Sequence, residues 1–296
     1  AFADSLFETT EPGQLGLTIV PYSTEVILPG PILTALNPAS PTNMLLPGAP
    51  SSCIDFDDWA NVRGRVNSMV LNLANGLGLG LGNGNGNGNG NGLGLNFNRI
   101  GGLVGSAWRR RNCDLRSNTA FLQPDTRVYL SSAQQVRDYV QTLGPVWGTS
   151  IDLGAVTGGL FFDPMLRPAI QTMVSNGTVH SDFTDRPFDW DRPGVLRAMV
   201  LMTDGENCCV YPNHAATRHP NLEVQDSYTL NTCAGLKDRG VTIYTIAFEA
   251  PDGGVSLMRN CATSENHFFS TSANALIDIF RGISTHIQLQ ALRLVE

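Results

Sequence analysis

Two polar residues of this chain stand where apolar runs meet helical patterns. Asp204 closely follows the run Val195-Leu-Arg-Ala-Met-Val-Leu-Met, and Thr149 lies in Val146-Trp-Gly-Thr-Ser, just ahead of a helical pattern that begins at Ile151. In an open parallel sheet, ligands sit at the carboxyl ends of the strands. A carboxylate and a hydroxyl converging there are hard oxygen donors suited to Mg²⁺, which keeps several waters and takes few protein ligands. The plainer alternative makes Asp204-Gly205 a turn and Thr149 a helix cap. A second set, Cys208, Cys209, His214 and His219, has a spacing open to zinc, with disulfides the favoured use of its cysteines. Arg109-Arg110-Arg111 with Arg116 forms a basic patch that suits an acidic partner or lipid phosphate, the alternative being a solvated loop.

Catalytic patterns are lacking. There is no Gly-x-Ser-x-Gly elbow and no His-Glu-x-x-His helix. The histidines at 180, 214, 219, 267 and 286 lie in unrelated contexts, and His267 marks a strand start. The one lysine, Lys237, is followed by Asp238, so no phosphate-binding loop ending in Lys and Ser or Thr is available. The chain reads as a non-enzyme; the enzymatic alternative is a secreted hydrolase whose triad assembles only in three dimensions.

The elements that must position these residues are bounded first by composition. The 296 residues carry 19 basic and 26 acidic side chains, a net charge of −7, with 15% charged against a usual fraction of about 25%. That excludes a disordered polyelectrolyte and argues against a nucleic-acid partner. Ten of the 31 glycines sit at alternate positions from Gly76 to Gly94, so the glycine excess is local. The most apolar run, Leu15 to Leu36, is broken by Pro21, Glu25, Pro29 and Pro31 and is not a membrane span. The chain opens at Ala1 in an acidic segment without the features of a signal peptide, and is read as a processed or truncated product.

Six cysteines, Cys53, Cys113, Cys208, Cys209, Cys233 and Cys261, lack C-x-x-C spacing and point to disulfides in an oxidising compartment, buried free thiols being the alternative. Six cysteines allow 15 pairings. Cys53 and Cys113 bracket the glycine tract, and a bridge between them would close a loop of about 60 residues, stabilising by roughly 4 kcal/mol.

Periodicity supplies the order of elements. Residues 3–9 read as a helix end, and Leu15 to Ser23 as a strand buried on both faces. Residues 38–118 form an irregular insert containing the low-complexity tract 76–94, with a short helix over 56–73. A short strand follows Asn118; Ser131-Ser132 offers a cap for a helix over 133–143, whose Val136, Tyr139, Val140 and Leu143 recur at helical spacing. Further helices are expected over 151–162, 223–238 (closed by Gly240), around Leu257 and Cys261, and over 273–289. Strands are expected over 195–202, 241–248 and 267–270. Alternating strands and helices imply an α/β fold with a parallel sheet covered on both faces.

Val200-Leu-Met-Thr-Asp-Gly-Glu-Asn resembles the third metal-site loop of the von Willebrand factor type A domain, and Gly148-Thr149-Ser150 before a helix resembles the second. Four strings together are similar to the tight-adherence (Tad) pilus-assembly protein G family: Val20-Pro-Tyr-Ser; Gly148-Thr-Ser-Ile-Asp-Leu-Gly; Ile243-Tyr-Thr-Ile-Ala-Phe followed by Cys261-Ala-Thr; and Ala291-Leu-Arg-Leu. The resemblance covers residues 1–37 and 119–296. It implies one type A-like domain over 1–296, a three-layer α/β fold with a mostly parallel, doubly wound sheet.

The family's metal-ion-dependent adhesion site also needs an Asp-x-Ser-x-Ser loop after the central strand, and no such string occurs here. By the family's layout, that strand and loop would precede residue 1, since Ala1–Glu8 matches the end of the first helix. The resemblance therefore implies a missing first central strand and an incomplete metal set of Thr149 and Asp204. Gly148, Ser150, Gly205 and Glu206 stand in the binding loops. Mg²⁺ or Mn²⁺ is expected in the complete protein, while the chain as given lacks the first-loop ligands. The same resemblance pairs Cys233 with Cys261 and implies a non-catalytic binding role with pilus or envelope proteins as partners. It places the protein in the bacterial cell envelope, anchored to the membrane through an N-terminal segment. The alternative is a structural envelope module that needs no metal and makes its contacts through the insert.

Overall fold

The computed structural model describes residues 2–23, 26–36, 53–56, 108–111, 124–145, 148–208 and 222–294, with 53–56 and 108–111 described as backbone. In chain order the strands are β1 (Leu17–Ile19), β2 (Val26–Ile27), β3 (Cys53–Phe56), β4 (Trp108–Arg111), β5 (Arg127–Leu130), β6 (Arg197–Thr203), β7 (Val241–Phe248) and β8 (Phe268–Thr271). The helices are α1 (Phe2–Glu8), α2 (Gly30–Leu36), α3 (Ala133–Val140), α4 (Ile151–Leu160), α5 (Arg167–Ser175), α6 (Leu222–Lys237), α7 (Asp252–Cys261) and α8 (Leu276–Leu292).

The fold is mixed α/β. β6, β7 and β8 form a parallel sheet with β7 in the centre. β6 and β7 stay in register from Arg197 opposite Val241 to Thr203 opposite Ala247. The near-continuous apolar character of both strands has a physical cause, because each face of this sheet is covered. Met199, Leu201, Ile243 and Ala247 pack with Ile151 and Ala155 of α4, Leu236 of α6 and Met258 of α7. Val200, Met202, Tyr244 and Ile246 pack with Ile279 and Ile283 of α8 and with Phe2 of α1. Full burial of Ile243 and Ile246 contributes about 2 kcal/mol each. Among the described residues, β6 pairs with a strand on one side only.

Cys233 and Cys261 form the disulfide that the family resemblance implies, joining α6 to α7 with a Cα–Cα distance of 5.3 Å. Closing a loop of this size lowers the entropy of the unfolded chain by the equivalent of about 3.5 kcal/mol. Cys208 is also disulfide-bonded, and no cysteine among the described residues is free. The proposed Cys53–Cys113 bridge and the side chain of Cys209 lie outside the described residues.

The remaining strands pair differently from the single sheet expected. β1 pairs antiparallel with β5, and β2–β3–β4 form a separate antiparallel sheet. The run from Leu15 was expected to be buried on both faces, but β1 is three residues long and half-buried. Pro21 has no N–H to continue a ladder, and burial passes instead to Val26, Ile27 and Leu28. The insert is not irregular throughout, because Cys53–Phe56 pairs with Trp108–Arg111. Arg109, Arg110 and Arg111 therefore lie on a strand rather than a loop, whereas Arg116 and the helix expected beyond Phe56 lie outside the described residues.

Ser132 caps α3, its hydroxyl accepting from the Gln135 N–H. The helix stops at Val140, leaving Val140 and Leu143 exposed where a buried stripe was expected. Helices α2 and α5 were not expected. Pro31 was read as breaking an apolar run, yet it stands in the first turn of α2, as Pro168 does in α5, where a missing N–H costs nothing.

α4 is apolar almost all round and buried on nearly every residue, the pattern of a helix enclosed by protein. Its Ile151 and Ala155 join the core of the parallel sheet. Its Leu153, Val156 and Leu160 join a second core with α2, α5 and β2. Gly154 lets Tyr22 approach: a Cβ there would stand 2.5 Å from the tyrosine ring.

Candidate functional site

The loops at the carboxyl end of β6 meet the N-terminus of α4. Asn207, fully buried, joins them. Its side-chain oxygen accepts from the Ile151 N–H at 2.7 Å and the Asp152 N–H at 3.4 Å. Its amide donates to Asp226 Oδ1 at 2.9 Å and Thr229 Oγ1 at 3.3 Å on α6. Asn207 therefore satisfies two N–H groups that every α-helix leaves open at its start. Ser150 holds the N-cap position of α4, but its side chain makes no capping bond. The Cys208 N–H donates to the Thr149 carbonyl at 2.8 Å, and the Ser150 N–H to the Ser23 carbonyl at 2.8 Å. The loop bearing Thr149 and the loop bearing Asp204 are thus held together by backbone and a buried side chain.

Within that frame, Thr149 Oγ1 lies 3.2 Å from where a Cβ on Gly205 would stand. The turn at Asp204-Gly205 is closed by Thr203, whose hydroxyl accepts from the Gly205 N–H at 3.2 Å. Gly148 has a φ of 88°, in the left-handed region that favours glycine. On the far side, α7 abuts the loop so closely that a Cβ on Gly254 would stand 2.3 Å from the Gly205 carbonyl oxygen. Glu206 flanks the same contact, near Gly253. Asp204 is exposed, Thr149 half-buried and Ser150 buried.

Three further residues belong to this end of the sheet. The Tyr22 hydroxyl donates to the Met202 carbonyl at 2.6 Å. Burial pushes the Tyr22 pKa up; a hydrogen bond with Thr203 works against this, while the nearby charges of Asp204 and Asp152 act with it. Tyr22 is therefore a neutral hydroxyl beside two carboxylates. Asp152 is fully buried in the first turn of α4, where the helix dipole favours negative charge. Asp226, hydrogen-bonded to Asn207, has its pKa raised chiefly by burial. None of Tyr22, Asp152 and Asn207 was singled out from the sequence as a site residue. The available signal was position: Asp152 follows Thr149 by three residues, and Asn207 follows Asp204 by three.

The zinc set proposed at 208–219 loses a ligand because Cys208 is in a disulfide; Cys209, His214 and His219 lie outside the described residues. His267 ends a short 3₁₀ turn immediately before β8. No group of three or more His, Cys, Asp or Glu side chains arranged to hold a metal ion occurs among the described residues. None of the described helices is long and apolar enough to cross a membrane.

No family model matches the sequence, and no curated protein matches it. Among solved structures, the proximal thread matrix protein 1 from the mussel byssus is 19% identical, with a TM-score of 0.30, over 52% of this chain and 29% of that one. A second crystal form of it is 18% identical, also at 0.30. The chain thus spans about three-tenths of that protein's length. The vWF domain of the type V pili tip protein Mfa5 from Porphyromonas gingivalis is 16% identical, with a TM-score of 0.31, over 55% of this chain and 75% of that one. Identities of 16–19% at these TM-scores carry no functional assignment.

Proposed function

We propose that this chain is a non-catalytic protein-binding module of the von Willebrand factor type A kind, from a bacterial cell-envelope protein linked to tight-adherence pilus assembly. Its partners in this reading are pilus or envelope proteins, engaged by the loops at the carboxyl end of the parallel sheet. The observation that carries the reading is the Asn207 bond to the start of α4, which fixes the Thr149 loop against the Asp204 loop. A surface ordered before contact loses less entropy on binding. The three-layer, doubly wound arrangement belongs to the same reading. Among the described residues β6 pairs on one side only, and in this reading a further central strand pairs with its other side, supplied by sequence preceding Ala1 together with a membrane anchor.

The residues present fit part of a divalent-cation shell. A Thr149 hydroxyl packed against Gly205 and an exposed Asp204 carboxylate are hard oxygen donors of the type that Mg²⁺ or Mn²⁺ accepts. Thr149 and Asp204 would hold the ion, with the other ligands coming from water and the preceding segment. When bound, the ion would offer a coordination position to a partner's carboxylate. The work of this chain's own residues is positioning: Asn207 holds the loops, Gly205 makes room for the hydroxyl, and Tyr22 supports the strand end.

A second reading draws on the β2–β3–β4 ladder, which roots the insert in the fold; there the insert makes the contacts without a metal. Adherence of cells producing the complete protein separates the two. Asp204→Ala is expected to abolish adherence and deletion of 76–94 to preserve it, with chelator acting like Asp204→Ala. Full adherence after Asp204→Ala and in excess chelator, with loss on the deletion, favours the insert.

A further inference from the structure

A second polar cluster lies on the α8 face of the parallel sheet, away from the strand-end loops. It gathers His267 before β8, Tyr244 on β7, and His286 and Gln290 one turn apart on α8. The His267 and His286 ring centroids are 5.2 Å apart, and Tyr244 packs against both imidazoles. Each ring is held by its Nδ1: that of His267 lies 2.7 Å from Ser264 Oγ, and that of His286 lies 3.0 Å from the Tyr244 hydroxyl. Both Nε2 atoms are left over. Among the described residues, His267 Nε2 is buried without a hydrogen-bond partner, as is Gln290 Oε1. Among the described residues, His286 Nε2 has just a long 3.5 Å contact with Gln290 Nε2. A buried polar atom left in this way bears the full penalty of leaving water, and two in one cluster call for an explanation.

We propose that His267 Nε2, His286 Nε2 and Gln290 Oε1 bind a divalent transition-metal ion, with Zn²⁺ the best fit, at a site separate from Thr149 and Asp204. Three features carry this. Two imidazoles sharing a tetrahedral ion at Zn–N distances of about 2.0–2.1 Å hold their ring centroids roughly 5 Å apart, the spacing observed here. A metal-bound imidazole donates its other N–H to a neighbouring acceptor, and the oxygens of Ser264 and Tyr244 stand at those positions. The donors are two nitrogens and a neutral oxygen, a set that suits Zn²⁺, Cu²⁺ or Ni²⁺ and not Mg²⁺. A water completes the four-coordinate shell.

The test titrates ZnCl₂ by calorimetry into the 296-residue chain at pH 7.5, after chelator stripping, and records the visible spectrum with Co²⁺. One saturable equivalent is expected, with the absorption bands of tetrahedral Co²⁺. His267→Asn and His286→Ala are each expected to weaken binding at least tenfold, and Gln290→Ala severalfold. Asp204→Ala is expected to leave it unchanged, so failure here is distinguishable from failure of the strand-end reading. Far-UV circular dichroism checks each variant, and His267→Asn with Gln290→Ala carry the test if His286→Ala unfolds. Absence of saturable uptake overturns the site. So does uptake unchanged by both folded variants, or uptake that Asp204→Ala removes.

Discussion

The parallel sheet and the antiparallel strands that precede it differ in how their sequences encode them. β6 and β7 are covered by helices on both faces, so the sequence of each reads as a near-continuous apolar run. β1 is three residues long and half-buried, and its partner β5 lies more than a hundred residues away. Burial on both faces writes itself into local composition, whereas pairing at an edge depends on a remote segment. Stability should divide the same way.

The largest effect is expected at the middle of β7. Ile246→Ala, at a fully buried position, should cost about 3–4 kcal/mol. Ile19→Ala in half-buried β1 should cost only about 1–1.5 kcal/mol. Urea unfolding of the two variants measures both, and equal losses would mean that the two regions are equally stable against truncation. Next comes the covalent tie within the parallel region. Replacing Cys233 and Cys261 together with alanine should cost about 3.5 kcal/mol, and reducing agent should lower the melting temperature of the wild type towards that of the variant.

The extent to which the sequence was legible follows the same physics. β7 matches its expected bounds, Val241–Phe248, and α6 differs from expectation by one residue at each end, because apolar runs and a glycine at φ 78° are local signals. α2 and α5 escaped because a proline suits a helix start as well as a loop. The two strands of the insert escaped because Trp108–Arg111 carries three arginines and no alternation. At the candidate site, Thr149 stood out by its place in a loop before a helix and Asp204 by its place after an apolar strand. Asn207 did not, because a capping side chain supplied by a loop more than fifty residues from its helix leaves no local pattern.

Asn207 tests whether the two regions are mechanically one at α4, the helix they share. Asn207→Ala leaves the buried Ile151 N–H without its acceptor and Asp226 without its donor. A loss of about 2 kcal/mol is expected. If α4 couples the regions, amide exchange should quicken along α4 and also in α5, which packs into the same core. Faster exchange confined to residues 148–152 would mean that the two regions open independently.

The smallest effect is expected at the other end of α4, and its sign is the readout. Asp163 caps the turn after the helix, Oδ1 accepting from the Met165 N–H at 2.9 Å. Burial raises its pKa above the usual 3.8, while that bond and the Arg239 charge pull it down. A carboxyl with a raised folded pKa binds its proton more tightly in the native state than in the unfolded chain. Its contribution is therefore full below about pH 3.8 and is lost as pH rises through the folded value. Asp163→Asn keeps an acceptor oxygen and removes the titration. The variant should gain on wild type as pH rises from 4 to 7 in paired urea unfolding curves. A gain in the opposite direction would mean that Arg239 and the Met165 N–H outweigh burial at this junction, making the end of α4 an ion-stabilised cap rather than part of the apolar core.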